Sequence, residues 1–285
     1  MSESRVLWYV DGLIKHWGQA TVRHHAARHK LDHSMTAATR KEMDTTALIT
    51  AEQDKYFGRD LEAMSFTVNY HRWILDEFRE FIGSRIVEVG AGTGNFTALL
   101  LSTGPSDYIA LEPAANVFAL LAQRFCSEPT VRTLQGTLAA LDNTAAGSFD
   151  TLIYVNVLEH IEDDREELKR TYEILARGGH LCIFVPALRW LYGTADRAFG
   201  HFRRYSSRVL QERVREAGFN VIKHHYFDLP GIVPWFLLFR VMKRACFTAR
   251  QAETYDRLIV PSLRALESTV RPPLGKNLLL VARKD

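Results

Sequence analysis

The amino-acid sequence predicts an α/β fold built on a doubly wound, largely parallel β-sheet with helices on both faces. Short apolar runs of strand length alternate along the chain with longer segments in which apolar residues recur at helical spacing. In addition, three glycines directly follow the first of these strands, where a helix should begin. Alternation of this kind is typical of parallel strands that are joined by crossover helices.

The composition is that of an ordinary globular protein, and it restricts the classes of function. Of the 285 residues, 47% are hydrophobic and 24% are charged, and the net charge is +3. A charge this small gives no reason to expect a nucleic-acid partner. The cysteines Cys126, Cys182 and Cys246 are widely spaced and form no C-x-x-C pair, so we expect a reducing, cytoplasmic location.

The sequence also predicts no secretory signal and no membrane span. The N-terminus lacks a basic segment that leads into an apolar stretch and a small-residue cleavage site. The longest apolar candidate, residues 229–239, contains two prolines and is shorter than the roughly 18 residues that a spanning helix needs.

The first fifty residues predict a helical extension, 1–50, ahead of an α/β domain at 51–285. Over residues 5–28, apolar side chains recur at steps of three and four, which indicates an amphipathic helix. These side chains are Val6, Val10, Leu13, Ile14 and Trp17. Because the α/β fold is complete without this helix, we expect its apolar face either to cover the active site or to join two copies into a homo-oligomer.

Histidines in this extension do not predict a metal site. His25, His29 and His33 have the i, i+4 spacing of helical metal ligands. No carboxylate or cysteine completes the set at close spacing, and a solvated basic face explains these histidines better. We therefore predict no bound metal.

The middle of the chain supplies strands and helices in alternation. Strands are predicted at 86–89, 108–111, 131–134, 149–155 and 180–185. Helices are predicted at 114–125 and 163–175, and Gly178 should end the second of them in the left-handed conformation.

The C-terminal part completes the sheet around an insertion. Ser206 or Ser207 can cap a helix at 206–217, and strands follow at 221–227 and 278–282. Residues 228–275 are apolar and aromatic, and a single sheet does not need them. We interpret this insertion before the last strand as a lid or an oligomer surface.

The stretch 85–95, R-I-V-E-V-G-A-G-T-G-N, predicts a nucleoside-binding crevice. Gly90, Gly92 and Gly94 let the chain turn sharply and leave the start of the next helix open to a ligand. Glu112 ends the second strand, where its carboxylate can accept hydrogen bonds from both hydroxyls of a ribose.

The glycine spacing distinguishes between nucleosides. A dinucleotide fingerprint places its third glycine where this chain has Asn95. In addition, the carboxylate of Glu88, two residues before Gly90, suits a cationic ligand better than a pyrophosphate. The pattern Glu-x-Gly-x-Gly-x-Gly, followed by Glu112, resembles the first motifs of class I S-adenosylmethionine-dependent methyltransferases.

Two later motifs extend this resemblance over residues 85–186. Asn156-Val157-Leu158-Glu159-His160 is similar to the family's motif after strand 4, and the Gly178-Gly179 stretch that ends at Val185-Pro186 is similar to its fifth strand. The resemblance implies a seven-stranded, Rossmann-like methyltransferase sheet of order 3-2-1-4-5-7-6 with an antiparallel last strand. It also implies S-adenosyl-L-methionine as the cofactor.

The resemblance further implies which residues contact the cofactor. They are Tyr56, Glu88, Gly90, Ala91, Gly92, Gly94, Asn95, Glu112, Pro113, Thr137, Leu138, Asn156, Val157, Leu158 and His160. Thr137 follows the third strand, where the family commonly has an acidic residue for the adenine amino group, so its hydroxyl or the backbone would make that contact. Asn156 would receive the cofactor's ammonium through its backbone carbonyl.

The loop after the fifth strand carries the catalytic candidates. Residues 196–205, D-x-x-x-G-H-x-R-R-Y, resemble a signature of one branch of bacterial small-molecule methyltransferases. Asp196, His201 and Tyr205 can accept a proton from an acceptor hydroxyl. The alternative is structural: Arg203 and Arg204 would pair with local acids and fix the loop.

Together these features favour methyl transfer to a small or lipophilic acceptor, by O- or C-methylation, in secondary metabolism such as natural product biosynthesis. Two alternatives remain open. An NAD-dependent oxidoreductase is disfavoured by Asn95 and by the lack of a Tyr-x-x-x-Lys pair. A non-catalytic cofactor-binding scaffold would bind S-adenosylmethionine without forming a methylated product.

Overall fold

The computed structural model describes residues 67–141, 145–244 and 248–285. The strands are β1 Arg85–Val89, β2 Asp107–Glu112, β3 Val131–Gln135, β4 Phe149–Val155, β5 Leu175–Pro186, β6 Asn220–Phe227 and β7 Asn277–Arg283. They form one sheet of order β3-β2-β1-β4-β5-β7-β6. Strand β7 runs antiparallel to both of its neighbours. The expected fold class and strand order are therefore confirmed.

Helices cover both faces of this sheet. They are α1 Val68–Phe78, α2 Asn95–Leu100, α3 Ala115–Phe125, α4 Asp164–Ile174, α5 Thr194–Ala198, α6 Ser207–Glu216, α7 Ile232–Trp235 (continued by a π-helix, Phe236–Val241), α8 Ala249–Leu258 and α9 Val260–Thr269. Side chains of α4, α6 and α7 belong to the hydrophobic core on one face. Those of α1, α2, α3 and α9 belong to the core on the other face.

The strand residues explain why both faces are buried. In β1, Val87 points into one core and the preceding Ile86 into the other, and both are completely buried. This is the period of two that a strand imposes on its side chains. A strand with helices on both sides needs apolar residues at consecutive positions, which is why the parallel strands read as continuous apolar runs.

One predicted boundary is wrong. Helix α4 ends at Ile174, and strand β5 begins at Leu175, ahead of the glycine that was expected to end the helix. Gly178 does have a positive φ, of 80°, but it lies within the strand. Its N–H donates to the carbonyl of Lys284 at 2.7 Å. The glycine therefore bends a long strand at its start instead of capping a helix.

Part of the insertion packs against α1. Asp256 of α8 is buried, and its carboxylate accepts hydrogen bonds from the backbone N–H groups of Asn69 and Tyr70, at 3.0 and 2.8 Å. It thereby satisfies N–H groups of the first turn of α1 that have no partner within that helix. The predicted N-terminal extension, 1–50, lies outside the described residues. Within 67–141, 145–244 and 248–285, no helix has the length and apolarity to cross a membrane.

Candidate active site

The glycine loop after β1 adopts the conformation that its sequence predicts. Gly90, Gly92 and Gly94 have positive φ values of 69°, 58° and 79°, which side chains strongly disfavour. Space restricts the first position as well, because a Cβ on Gly90 would lie 2.5 Å from Cγ2 of Val157. The N–H of Ala91 donates to the carbonyl of Leu111 at 2.8 Å. The loop is thus fixed onto the end of β2.

Glu112 lies where a ribose-binding carboxylate is expected. One carboxylate oxygen accepts a hydrogen bond from the N–H of Gly92 and the other from that of Ala114, both at 2.9 Å. Burial raises the pKa of Glu112, although these two bonds oppose the shift. Since each carboxylate oxygen has two lone pairs, both can still accept a ribose hydroxyl. The geometry therefore fits the nucleoside part of S-adenosylmethionine.

Glu88 differs from its expected role. Its carboxylate is 3% exposed and accepts hydrogen bonds from the hydroxyls of Thr97 and Tyr108, at 2.5 and 2.6 Å. Burial raises its pKa to about 7 in spite of these two bonds. The side chain links β1 to α2 through Thr97 and to β2 through Tyr108, and this geometry does not provide the expected contact with a cationic ligand.

The other predicted cofactor residues differ in their exposure and in their hydrogen-bond partners. Asn95 begins α2, and its side-chain oxygen accepts from Arg124 at 2.8 Å. Thr137 is exposed after β3, and its hydroxyl accepts from the N–H of Ala139 at 3.3 Å. Leu138 and Leu158 are completely buried, so only their backbone groups could reach a ligand. Tyr56 lies outside the described residues, and Pro113 is exposed directly after Glu112.

A cavity of about 380 Å³ opens where the segments after β4, β5 and β6 meet. Asn156, which follows β4, lines it with a positive φ of 54°, a conformation that asparagine tolerates better than most residues. The Asn156 N–H donates to the carbonyl of Phe184 at 2.8 Å. His160 and His201 line the same cavity, and their rings are nearly perpendicular with centroids 4.6 Å apart.

Asp196 holds His201 in place. The Asp196 side chain is completely buried, and one of its oxygens lies 2.9 Å from Nδ1 of His201 and 2.7 Å from Nε of Arg204. The other oxygen accepts from the N–H of Gly193 at 2.8 Å. Burial alone would raise the pKa of Asp196, but the His201 hydrogen bond and the Arg204 charge hold it below its ordinary value. An ionised Asp196 binds Nδ1–H of His201 and leaves Nε2 available to a ligand.

Tyr205 does not have the geometry of a catalytic residue, and that prediction is corrected. Its hydroxyl donates to the carboxylate of Asp164 at 2.6 Å, and the residue is 1% exposed. Arg203 lies 2.8 Å from the same carboxylate, and Arg204 bonds Asp196. The alternative interpretation is therefore correct for both arginines: they pair with acids and fix the loop.

Sequence reasoning missed the wall of the cavity that comes from the end of the chain. Lys276, just before β7, lies 2.8 Å from the buried carboxylate of Asp228. The Lys276 ammonium also lies 5.3 Å from the ring centroid of Tyr70 and 5.8 Å from those of Trp235 and Tyr255. Lys276 and Asp228 are far apart in the sequence, so no local motif indicates that they pair. Glu159 belongs to the motif after β4, but the sequence did not predict that it would be buried and would line the cavity.

Named relatives match only about a third of the chain. It is 34% identical over 106 residues to trans-aconitate 2-methyltransferase of Deinococcus radiodurans, which is 36% of this chain and 38% of that protein. It is 31% identical over 103 residues to tRNA U34 carboxymethyltransferase of Pseudomonas fluorescens, which is 35% of this chain and 32% of that protein. The chain thus matches well under half the length of these relatives.

Solved structures share the fold over most of the chain. A S-adenosylmethionine-dependent methyltransferase from Mesorhizobium loti has a TM-score of 0.52 at 17% identity, covering 73% of this chain and 96% of that one. The [4+2]-cyclase SpnF has a TM-score of 0.53 at 13% identity, covering 76% and 81%. Fold alone therefore does not determine the reaction.

The family follows from a match that covers more than half of the chain. Residues 48–224 match the model of the methyltransferase domain. This range contains the glycine loop, Glu112, and the loops that carry Asn156 and His201. The chain belongs to the methyltransferase domain family; its fold is that of class I S-adenosylmethionine-dependent methyltransferases, and S-adenosylmethionine is the cofactor.

Proposed function

We propose that the protein transfers a methyl group from S-adenosylmethionine to a small or lipophilic acceptor bound in the 380 Å³ cavity. One observation carries this proposal: the cofactor crevice and the cavity share a wall. Asn156 lines the cavity, and the adjacent Val157 packs so tightly on the glycine loop that a Cβ on Gly90 would overlap it. An acceptor in the cavity would therefore lie beside the crevice that fits the cofactor.

The residues of the crevice bind and orient the donor. When bound, S-adenosylmethionine supplies a methyl carbon that bonds to the acceptor while the electron pair of the carbon–sulfur bond passes to sulfur. Glu112 accepts hydrogen bonds from the ribose hydroxyls, and the carbonyl of Asn156 receives the ammonium. Fixing donor and acceptor in line supplies several kcal/mol towards the barrier.

His201 is the proposed proton acceptor for an oxygen nucleophile. Asp196 fixes Nδ1 of its ring at 2.9 Å, so Nε2 can take the hydroxyl proton as the oxygen–carbon bond forms. Asp196 acts through His201 and is a positioning residue. A carbon nucleophile would need no strong base, and the aromatic lining with Tyr70 and Trp235 could stabilise developing positive charge.

The decisive experiment separates binding from catalysis. Calorimetry with S-adenosylmethionine measures cofactor affinity, and mass spectrometry detects a methylated acceptor among small hydroxyl-bearing and lipophilic compounds. Binding without any product would favour the cofactor-binding scaffold. Binding of NADH in place of S-adenosylmethionine would favour the oxidoreductase.

A variant of His201 tests the proton acceptor. His201→Ala should leave cofactor affinity within a few fold and slow turnover by roughly 10²–10⁴, the contribution typical of a general base. His224, exposed on β6, provides the matched control His224→Ala, which should change neither quantity. Normal turnover in His201→Ala would give the loop a purely structural role or indicate carbon methylation.

The cellular setting and the assembly are part of the same proposal. The D-x-x-x-G-H-x-R-R-Y loop supports a place in bacterial secondary metabolism, and the widely spaced cysteines support a cytoplasmic location. The amphipathic pattern at 5–28 supports a homo-oligomer or a cover for the site. Deleting residues 1–33 should reduce the mass measured by light scattering in the first case and weaken cofactor binding in the second. If neither changes, the extension has no such role.

A further inference from the structure

Three side chains with metal-binding atoms converge in the cavity. Glu159 and His160 lie in the 3₁₀ turn Leu158–His160 after β4, and His201 lies on the loop after β5. One ligand atom from each lies within 4.8 Å of the other two. This group is distinct from the histidines at 25, 29 and 33, on which the sequence-based metal question rested.

The Glu159 carboxylate is the most informative member of the group. The residue is completely buried and lines the cavity. Within the part of the chain that the structure describes, neither of its oxygens has a hydrogen-bond partner. Nearby Arg204 donates instead to Asp196 and to the carbonyl of Ala187. Buried carboxylates are rare without a donor or a cation, so the described protein atoms alone leave this carboxylate without the partner that it needs.

The environment of His201 favours ligation independently. The Asp196 carboxylate holds its Nδ1, which leaves the lone pair of Nε2 for another partner. A carboxylate that orients a histidine through its second nitrogen is the usual outer-shell arrangement around metal-binding histidines. Asp196 therefore occupies the outer-shell position next to Nδ1 that is usual for a metal-binding histidine.

We propose that Glu159, His160 and His201 bind one divalent transition-metal cation, with its remaining coordination positions open to the acceptor. Two imidazoles and one carboxylate suit Zn²⁺ and similar cations better than Mg²⁺ or Ca²⁺, which prefer oxygen ligands alone. The inference rests on the proposed function in one respect: the cation would hold an oxygen atom of the methyl acceptor. It thereby narrows the acceptor to compounds with a hydroxyl or carboxylate oxygen. In the metal-loaded protein, Nε2 of His201 would be a ligand instead of the proton acceptor. The cation would lower the pKa of a bound acceptor hydroxyl, whose proton would pass to solvent before the oxygen–carbon bond forms.

The test is a titration of the untagged, full-length protein with ZnCl₂ by calorimetry after treatment with a chelator. We expect one high-affinity site per chain. Glu159→Gln and His201→Asn should each weaken it by about 100-fold or more, since loss of even an outer-shell partner costs about 10–100-fold. Visible absorption of the Co²⁺-loaded protein gives a second readout, which should be lost in both variants. Thermal melting shows whether each variant is folded.

Two controls separate this site from other histidines. The triple variant His25→Ala, His29→Ala, His33→Ala removes the candidate ligands in the N-terminal extension, and His224→Ala removes an exposed histidine of β6. Both should retain the Glu159-dependent site. Equal Zn²⁺ affinity in folded Glu159→Gln and wild-type protein, or loss of binding in the triple variant alone, would overturn the proposal.

Failure of the metal proposal can be distinguished from failure of the proposed function. If chelated protein without Zn²⁺ binds S-adenosylmethionine and methylates its acceptor at full rate, the role of the cation is wrong and methyl transfer stands. If the protein binds Zn²⁺ through Glu159 but does not bind S-adenosylmethionine, the metal site stands and methyl transfer is wrong.

Discussion

The crevice at the glycine loop and the cavity lined by Asn156 and His201 adjoin one another but are stabilised in different ways. The crevice depends on backbone conformation: Gly90, Gly92 and Gly94 have positive φ, and backbone N–H groups bond Glu112. The cavity depends on buried charged side chains, among them Asp196 with Arg204.

This difference has a consequence for specificity. A loop fixed by glycine conformation accepts few substitutions. A cavity whose walls come from several separate segments can change with a few side chains while the sheet stays the same. The two regions should therefore respond differently to mutation.

Breaking a buried pair of the cavity should have the largest effect. In Asp196→Ala, the Arg204 guanidinium, 3% exposed, would lose its bonded carboxylate. Removing one partner of a buried ion pair costs roughly 3–5 kcal/mol, so the free energy of unfolding in urea should fall by about that amount. Glu212→Ala is the control, because it breaks the exposed Arg208–Glu212 pair and should leave the urea midpoint unchanged. Equal midpoints in both variants would show that this pair does not hold the cavity wall.

The crevice should lose ligand affinity while keeping its fold. Glu112→Ala removes the acceptor of the ribose hydroxyls, and each hydrogen bond to a charged group contributes roughly 1.5–3 kcal/mol. The dissociation constant for S-adenosylmethionine, measured by calorimetry, should rise by at least about tenfold. The exposed Glu173 of α4 offers the control Glu173→Ala. Unchanged affinity in Glu112→Ala would remove this carboxylate from the site.

The fold was predictable because its evidence is local. Continuous apolar runs mark the buried strands, and the glycine loop marks the crossing from β1 to α2. The start of β5 was mispredicted because the positive φ of Gly178 suits a helix end and a bent strand equally. The choice between them depends on Lys284, more than a hundred positions away.

In the candidate site, the positions of the glycine loop and of Glu112 were predictable from the sequence. The Gly90-to-Glu112 geometry follows from two neighbouring strands and a single turn. The role of Tyr205 depends on Asp164, 41 positions earlier, and nothing near Tyr205 in the sequence identifies that partner. Lys276 and Asp228 meet for the same reason, through the packing of the insertion and the last strand. The contacts around the cavity therefore depend on tertiary structure and cannot be predicted from local sequence.

Titration of Glu88 tests the cost of burying the carboxylate that links β1 to α2 and β2. Burial raises its pKa from 4.5 to about 7, so the folded state binds this proton more tightly than the unfolded state. The free energy of unfolding should therefore fall as pH rises from about 4.5 to 7 and level off above. Glu88→Gln removes this dependence and should gain on the order of 2–3 kcal/mol relative to wild type between pH 5 and pH 8. Urea unfolding at both pH values measures this difference in free energy. Parallel pH profiles in the two proteins would contradict the prediction.

Two glycines separate the contribution of backbone conformation from that of packing, and the smallest expected effect is that of Gly104→Ala. Gly90 and Gly104 have nearly the same φ, 69° and 73°, but among the described residues no heavy atom lies within 4 Å of a Cβ built on Gly104. Gly104→Ala should therefore cost only the backbone penalty, about 1–2 kcal/mol. Gly90→Ala adds the overlap with Val157, for about 1–3 kcal/mol more.

A second-site change tests that reasoning. Val157→Ala removes the Cγ atoms that a Cβ at position 90 would meet, so the double variant should recover the packing part of the loss but not the backbone part. Urea unfolding of the four variants gives the energies, and calorimetry should show weaker S-adenosylmethionine binding in Gly90→Ala alone of the two glycine variants. Equal losses at positions 90 and 104 would mean that Val157 yields freely. Val157, between the crevice and the cavity, could then move at little cost in stability. The fixed conformation of the crevice would be limited to the glycine loop itself.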